Sequence, residues 1–148
     1  MTESTTPRNL IHEAAEFLVL AELLRRGIET YKAYSGYPGY DVLAVRAERA
    51  CRIQVKSRAA IDFDHLFDLK GDVAGACHFV VLVALDRERL GKVAIDDPGQ
   101  PRYWVVPAGV AGERRRGGAR PRLKYDDVGE FADAWHLIVG FFQGVDAA

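Results

Sequence analysis

An aspartate, a glutamine and a lysine on two neighbouring predicted strands could do chemistry together. Residues 40–45 and 51–58 carry these polar side chains among apolar ones, and the short turn between them predicts a β-hairpin. Side chains two apart on a strand share a face, so Gln54 and Lys56 point the same way. Asp41 opens the first strand, where an antiparallel partner can bring its carboxylate beside them. Oxygen ligands for a hard cation beside an ammonium group suit phosphodiester hydrolysis.

Each of these three residues also has an ordinary structural interpretation. An aspartate after Pro38 and Gly39 commonly accepts a hydrogen bond from a nearby turn amide. Lys56 can be an exposed strand lysine, and Gln54 a partly buried amide that finds backbone partners. Their order and spacing together favour a site over three separate structural roles.

A helix is predicted over residues 9–26, because apolar residues recur there at steps of three and four and Gly27 can end it. The recurring residues are Leu10, Ala14, Phe17, Ala21 and Leu24. Glu13 and Glu16 fall on a side of this helix that also carries leucines, where a carboxylate is costly without a partner or a metal. Since the two glutamates are one turn apart, either can be the acid that joins the site.

The remaining pattern predicts an α/β sandwich with a mixed sheet in a single domain. We expect strands at 28–34, 78–85 (central and buried) and 103–106, a turn at 35–39, a helical turn from Pro107, a basic loop at 113–122, and a final helix capped by Asp126 or Asp127 that runs to about Phe142. The domain is expected to span 9–143, between a flexible N-terminus (1–8) and a C-terminal tail (144–148).

Composition narrows the function classes only slightly. The chain of 148 residues has 20 basic and 21 acidic residues, so a nucleic-acid surface requires local segregation of charge. The two cysteines lack ligand spacing and are expected to be buried in a reduced compartment, and the four histidines show no zinc spacing and are interpreted as structural or surface residues. No apolar signal core or membrane span is visible, which predicts a cytoplasmic protein.

A helical glutamate, an aspartate at a strand start and a Gln-Val-Lys strand, in this order, carry a family resemblance. The sequence resembles the PD-(D/E)XK nuclease superfamily in its restriction-endonuclease-like and Holliday-junction-resolvase-like branches. The likeness covers roughly residues 9 to 85, and its anchors are Ala15-Glu16, Tyr34-Ser35-Gly36 and Ile53 to Arg58. Tyr40 stands where this superfamily often has proline, and Gln54 where aspartate or glutamate is usual. The resemblance implies a restriction-endonuclease-like mixed central β-sheet flanked by helices.

The resemblance also implies a metal-dependent DNA endonuclease that acts as a homodimer. Its Mg²⁺ or Mn²⁺ would be held by Asp41, the Gln54 side-chain carbonyl, the Val55 backbone carbonyl and, directly or through water, Glu16, which follows Ala15 as in the family. Lys56 would orient the nucleophile and stabilise the charged transition state. A neutral Gln54 removes one negative charge from the cage, so metal affinity should be lower than with glutamate.

Two basic segments are candidates for nucleic-acid contact. Ser57 and Arg58 follow the lysine directly, and the densest positive stretch contains Arg114, Arg115, Arg116, Arg120, Arg122 and Lys124. The alternative for both is a solvated surface.

Two other functions compete with the nuclease. One is a catalytically degenerate nuclease-fold module that binds nucleic acid or a protein partner. The other is a stand-alone interaction protein whose interface is the basic loop or the apolar tail. The sequence leaves the form of the nucleic acid and any recognition sequence open.

Overall fold

A mixed β-sheet organises the computed structural model, which describes residues 8–33, 39–59, 66–85 and 99–146. The elements are α1 (Arg8–Arg25), β1 (Glu29–Lys32), β2 (Val42–Arg46), β3 (Arg49–Arg58), β4 (Leu66–Asp68), α2 (Val73–Ala76), β5 (Phe79–Ala84), β6 (Arg102–Pro107), α3 (Ala108–Arg114), β7 (Arg122–Lys124), a 3-10 helix (Tyr125–Phe131) and α4 (His136–Asp146). Within the described residues, none of the helices is long and apolar enough to span a membrane.

The large sheet has five strands in the order β1-β2-β3-β5-β6. Strand β3 runs parallel to β5, and the other neighbours are antiparallel. The predicted hairpin is present, with Arg46 opposite Arg49. Its turn residues Ala47 and Glu48 have φ of 50° and 70°, as a two-residue hairpin turn requires. The predicted single α/β domain with a mixed sheet is confirmed.

Two apolar layers cover the faces of this sheet. Helices α1 and α4 pack on one face, against Cys51, Ile53 and Val55 of β3. Strand β4, α2 and α3 pack on the other face, against Val80 and Leu82 of β5. All six residues of β5 are buried, because both faces of this strand are covered. The prediction of a buried strand there is confirmed.

Helix α1 is confirmed, but its recurring apolar residues do not face the core. Leu10, Phe17 and Leu24 are 55%, 51% and 49% exposed. The buried stripe is Ala15, Val19 and Leu23. The helix ends at Arg25, and Gly27 (φ 83°) closes its C-terminus as predicted: the amide of Gly27 donates to the Leu24 carbonyl and the amide of Ile28 to that of Leu23.

The single predicted C-terminal helix is wrong. A 3-10 helix and α4 are separated by residues 132–135, where Ala132 forms a β-bridge with Trp104 and the amide of Asp133 donates to the Tyr103 carbonyl. These backbone contacts to β6 replace helical ones. The small sheet of β4 and β7 was not predicted, and it includes Arg122 of the expected basic loop.

Several expectations lie wholly or partly outside the described residues. Strand β1 covers 29–32 of the predicted 28–34, and Tyr34, Ser35 and Gly36 are outside. Residues 1–7 of the predicted N-terminus and 147–148 of the predicted tail are outside as well, while α4 runs to Asp146.

Candidate active site

Asp41 is fixed at the point where β2 begins beside the middle of β3. Its main chain donates to the Ile53 carbonyl at 2.8 Å and accepts from the Ala33 amide at 2.9 Å. Its carboxylate Oδ2 accepts from the backbone N–H of Val55 at 2.8 Å. The carboxylate therefore takes the place of a strand at this edge of β3, rather than closing its own turn. It lies next to the backbone that carries Gln54 and Lys56.

The two polar residues of β3 face away from α1, as the strand phase predicts. Ile53 and Val55 are 0% and 4% exposed in the core beneath α1, whereas Gln54 and Lys56 are half-buried and line a cavity of about 810 Å³. Gln54 Oε1 is buried and, among the described residues, has no hydrogen-bond partner. An oxygen buried without a donor costs free energy, so this atom is suited to receive a ligand.

Glu16 and Glu13 share one lysine, which the sequence reasoning missed. Lys32 Nζ lies 3.2 Å from Glu16 Oε1 and 2.9 Å from both carboxylate oxygens of Glu13. Burial raises the pKa of Glu16, the neighbouring Asp41 carboxylate raises it further, and Lys32 opposes both. The Asp41 carboxylate thus acts on the charge of Glu16. Which of the two glutamates joins the site stays a prediction. The signal for Lys32 was its alternation with the exposed Glu29 and Tyr31, which turns it towards α1.

His12, one of the histidines interpreted as structural or surface residues, contacts the end of β3. His12 Nδ1 is 2.9 Å from Ser57 Oγ, and both residues line the cavity that Lys56 enters. Ser57 therefore faces α1, on the side opposite Lys56. Arg58 also lines the cavity. Nucleic-acid contact by Ser57 and Arg58 stays a prediction.

The arginines of the basic segment have intramolecular partners. Arg114 donates to the Asp127 carbonyl at 2.9 Å and to Glu130 at 2.8 Å. Arg116 makes two bonds of 2.8 Å with the Asp127 carboxylate. Arg115 donates to two backbone carbonyls in the segment between β4 and α2. Each guanidinium is committed in part to the fold, and phosphate contact by these three stays a prediction.

The oxygen atoms of these residues are of the kind that a hard divalent cation binds. In the described ranges, no group of three or more His, Cys, Asp or Glu side chains could hold a metal ion. A cation would therefore depend on the unpartnered Gln54 Oε1 and the Val55 carbonyl in addition to Asp41 and Glu16. Carboxylate and carbonyl oxygens completed by water are the ligands that Mg²⁺ takes, so the residues fit Mg²⁺ or Mn²⁺ and not zinc.

Comparison with known proteins identifies the fold. No protein-family model and no curated protein matches the chain. A bacterial homing endonuclease of known structure superposes with a TM-score of 0.64 at 19% identity, over 96% of this chain and 98% of that chain. A Holliday junction resolvase from Archaeoglobus fulgidus gives a TM-score of 0.49 at 18% identity, over 79% of this chain and 86% of that chain. The fold is restriction-endonuclease-like, as predicted.

Proposed function

We propose that this chain is a nuclease of the PD-(D/E)XK type, with a Gln variant of the motif, that hydrolyses phosphodiester bonds in DNA with Mg²⁺ or Mn²⁺. The observation that carries the proposal is the Asp41 carboxylate held on the Val55 amide at 2.8 Å, between the strand positions of Gln54 and Lys56. The fold supports it, because the homing endonuclease that shares this fold is itself a nuclease.

The residues have distinct roles in this proposal. Asp41, Gln54 Oε1, the Val55 carbonyl and Glu16 hold the cation, which when bound would neutralise phosphate charge and lower the pKa of a water molecule. Lys56 makes no ion pair with any described residue, so its ammonium is available to orient the nucleophile and to stabilise charge on the phosphate. Lys32 balances the charge of the glutamates of α1 and so offsets the repulsion that the Asp41 carboxylate exerts on Glu16.

A cleavage assay tests this function directly. The purified chain is incubated with supercoiled, linear and branched DNA in Mg²⁺, Mn²⁺ or chelator. We expect cleavage with either cation, abolished by Lys56→Ala while DNA binding persists, because the lysine acts on the transition state more than on the bound ground state. Arg25→Ala is the control, since it removes an exposed positive charge at the far end of α1. Absence of cation-dependent cleavage of every substrate would overturn the proposal.

A second candidate function is a catalytically degenerate module that binds nucleic acid or a protein. The neutral Gln54 favours it, together with the lack of a three-member His, Cys, Asp or Glu group among the described residues. Calorimetric titration separates the two functions. Mg²⁺ or Mn²⁺ binding that is lost in Asp41→Asn supports the enzyme, and a wild type that binds DNA but neither cation supports the module.

We also propose a homodimer, which the resemblance implies. The exposed apolar stripe of α1 supports it, because Leu10, Phe17 and Leu24 recur every seven residues, as in helices that pair along one seam. Leu24→Glu should halve the mass measured by light scattering, whereas Tyr31→Glu, at an equally exposed site on β1, should leave it unchanged. A monomeric wild type would refute this assembly.

A further inference from the structure

We infer that Lys70 binds a phosphate of the nucleic acid in the cavity that Lys56 also lines, and that Arg115 is the positioning residue that fixes the segment carrying Lys70. The inference rests on the proposed function and deepens it, since it assigns substrate binding to a residue outside the strand motif. It also gives Arg115 a role different from the direct phosphate contact that the sequence predicted.

The cavity of about 810 Å³ is lined by β3 and by the segment between β4 and α2. Strand β3 contributes Lys56 and Arg58 to this lining, and the segment from Asp68 to Val73 contributes Lys70. Lys70 is exposed and makes no ion pair with any residue in the described part of the chain. Two segments that both bring cations to one cavity suit a ligand that is negatively charged along its length, such as a phosphodiester backbone.

The acidic neighbours of Lys70 are directed to other partners. Asp68 lies 3.7 Å from Arg120 in an ion pair. Asp72 accepts from the amide of Gly75 at the start of α2, at 3.1 Å. Neither carboxylate is paired with the Lys70 ammonium, so that group can contact an anion in the cavity.

The backbone on both sides of Lys70 is held by one guanidinium. Arg115 NH1 donates to the Leu69 carbonyl at 3.2 Å and to the Gly71 carbonyl at 2.7 Å. Leu69 is fully buried, and its amide donates to the Pro121 carbonyl at 3.0 Å. Gly71 has a φ of 79°, which a side chain would strain. The position of Lys70 therefore depends on Arg115, 45 residues away in sequence.

A double-mutant cycle separates this arrangement from direct contact by Arg115. Affinity for a short DNA duplex is measured in chelator at several salt concentrations for Lys70→Gln, Arg115→Ala and the double variant. We expect each single change to weaken binding several-fold, with Lys70→Gln lowering the salt slope by about 0.9, the value for one phosphate contact. The double variant should bind DNA with no lower affinity than the weaker-binding single variant, because Arg115 acts through Lys70.

Cleavage kinetics give a second readout that a merely structural role would not move. Lys70→Gln should raise KM with kcat preserved, since it removes binding common to ground and transition states. Arg25→Gln, which removes an exposed charge far from the cavity, is the control and should change neither.

Each outcome bears on the inference. Wild-type affinity in Lys70→Gln would overturn it, and this variant should fold because its side chain is exposed. Losses that multiply in the double variant would show that Arg115 binds phosphate directly and would also overturn it. A wild type that neither binds nor cleaves DNA would overturn the proposed function and this inference together. A wild type that binds and cleaves DNA, with Lys70→Gln of equal affinity, would overturn the inference alone.

Discussion

The substitution Gln54→Glu discriminates most sharply between an active site and a degenerate one. Gln54 Oε1 is buried and has no hydrogen-bond partner among the described residues, and Asp41 is held on the next backbone amide. A glutamate there adds a negative charge of the same sign as Asp41 and Glu16. Without a cation only the Lys56 ammonium on the same face of β3 opposes this charge, and with a cation the carboxylate becomes an additional ligand.

The size of the effect follows from the burial of the site. A carboxylate at this half-buried position, repelled by Asp41 and Glu16 and opposed only by Lys56, should lower the free energy of unfolding by about 1 to 3 kcal/mol. For a chain of this length each kcal/mol shifts the unfolding temperature by about 2 to 4 °C, so Gln54→Glu should unfold about 2 to 12 °C lower in chelator. A cation at one hundred times its Kd restores about 2.7 kcal/mol.

Thermal unfolding of Gln54→Glu in chelator, Mg²⁺ and Mn²⁺ measures both the destabilisation by the added charge and the stabilisation by a bound cation. We expect a destabilised variant that either cation stabilises more strongly than it stabilises the wild type, with cleavage preserved or raised. Gln143→Glu, at an exposed position of α4, is the matched control. Its unfolding temperature should match that of the wild type in chelator and in either cation. A destabilised Gln54→Glu that ignores both cations would refute the metal-site reasoning and leave the binding module.

Three further predictions test the scaffold around the site. Glu16→Gln should raise the free energy of unfolding at pH values above the ordinary carboxyl pKa of about 4.3. Burial and the neighbouring aspartate raise the pKa of Glu16, so its ionisation lowers native stability as pH rises. Urea titrations from pH 4 to 8 check this, and a wild type that is more stable than the variant at pH 8 would contradict it. Gly39→Ala should lower the free energy of unfolding by about 2 to 4 kcal/mol in the same assay. Gly39 has a φ of 93°, and a Cβ there would lie 2.3 Å from the Cβ of Ala76. Unchanged stability would disprove this close packing. Burial raises the pKa of Cys51 to about 12 and that of Cys77 to about 11. Both thiols should therefore react with a disulfide reagent at pH 8 only after the protein unfolds. Rapid labelling of the native protein would show that the thiols are not buried.

Local patterns predicted the elements that depend on their own sequence. The alternation in β3 placed Gln54 and Lys56 on one face and Ile53 and Val55 on the other, because a strand has a period of two. The hairpin, the buried strand β5 and the closure of α1 by Gly27 followed from similarly local signals.

Features that depend on distant contacts could not be predicted in this way. Both stripes of α1 fit a helical period, and only packing against the sheet selects Val19 over Phe17 for burial. The break before α4 arises from backbone pairing with β6, which no local pattern encodes. In the site, the Lys32 ion pairs and the contact of Arg115 with the 69–71 backbone are likewise long-range, so no local pattern indicated them.

The hydrogen bond from the Val55 amide to Asp41 bears on how this site can change in evolution. Loss of the carboxylate would leave that amide without its acceptor, at a cost of about 1 to 3 kcal/mol. Selection for folding alone therefore retains an acceptor at position 41, whereas Lys56 has no such structural partner among the described residues. Among descendants that lose catalysis, the lysine should drift first and the aspartate last. An intact aspartate in a related sequence is thus weak evidence for catalytic activity, and an intact lysine is stronger evidence.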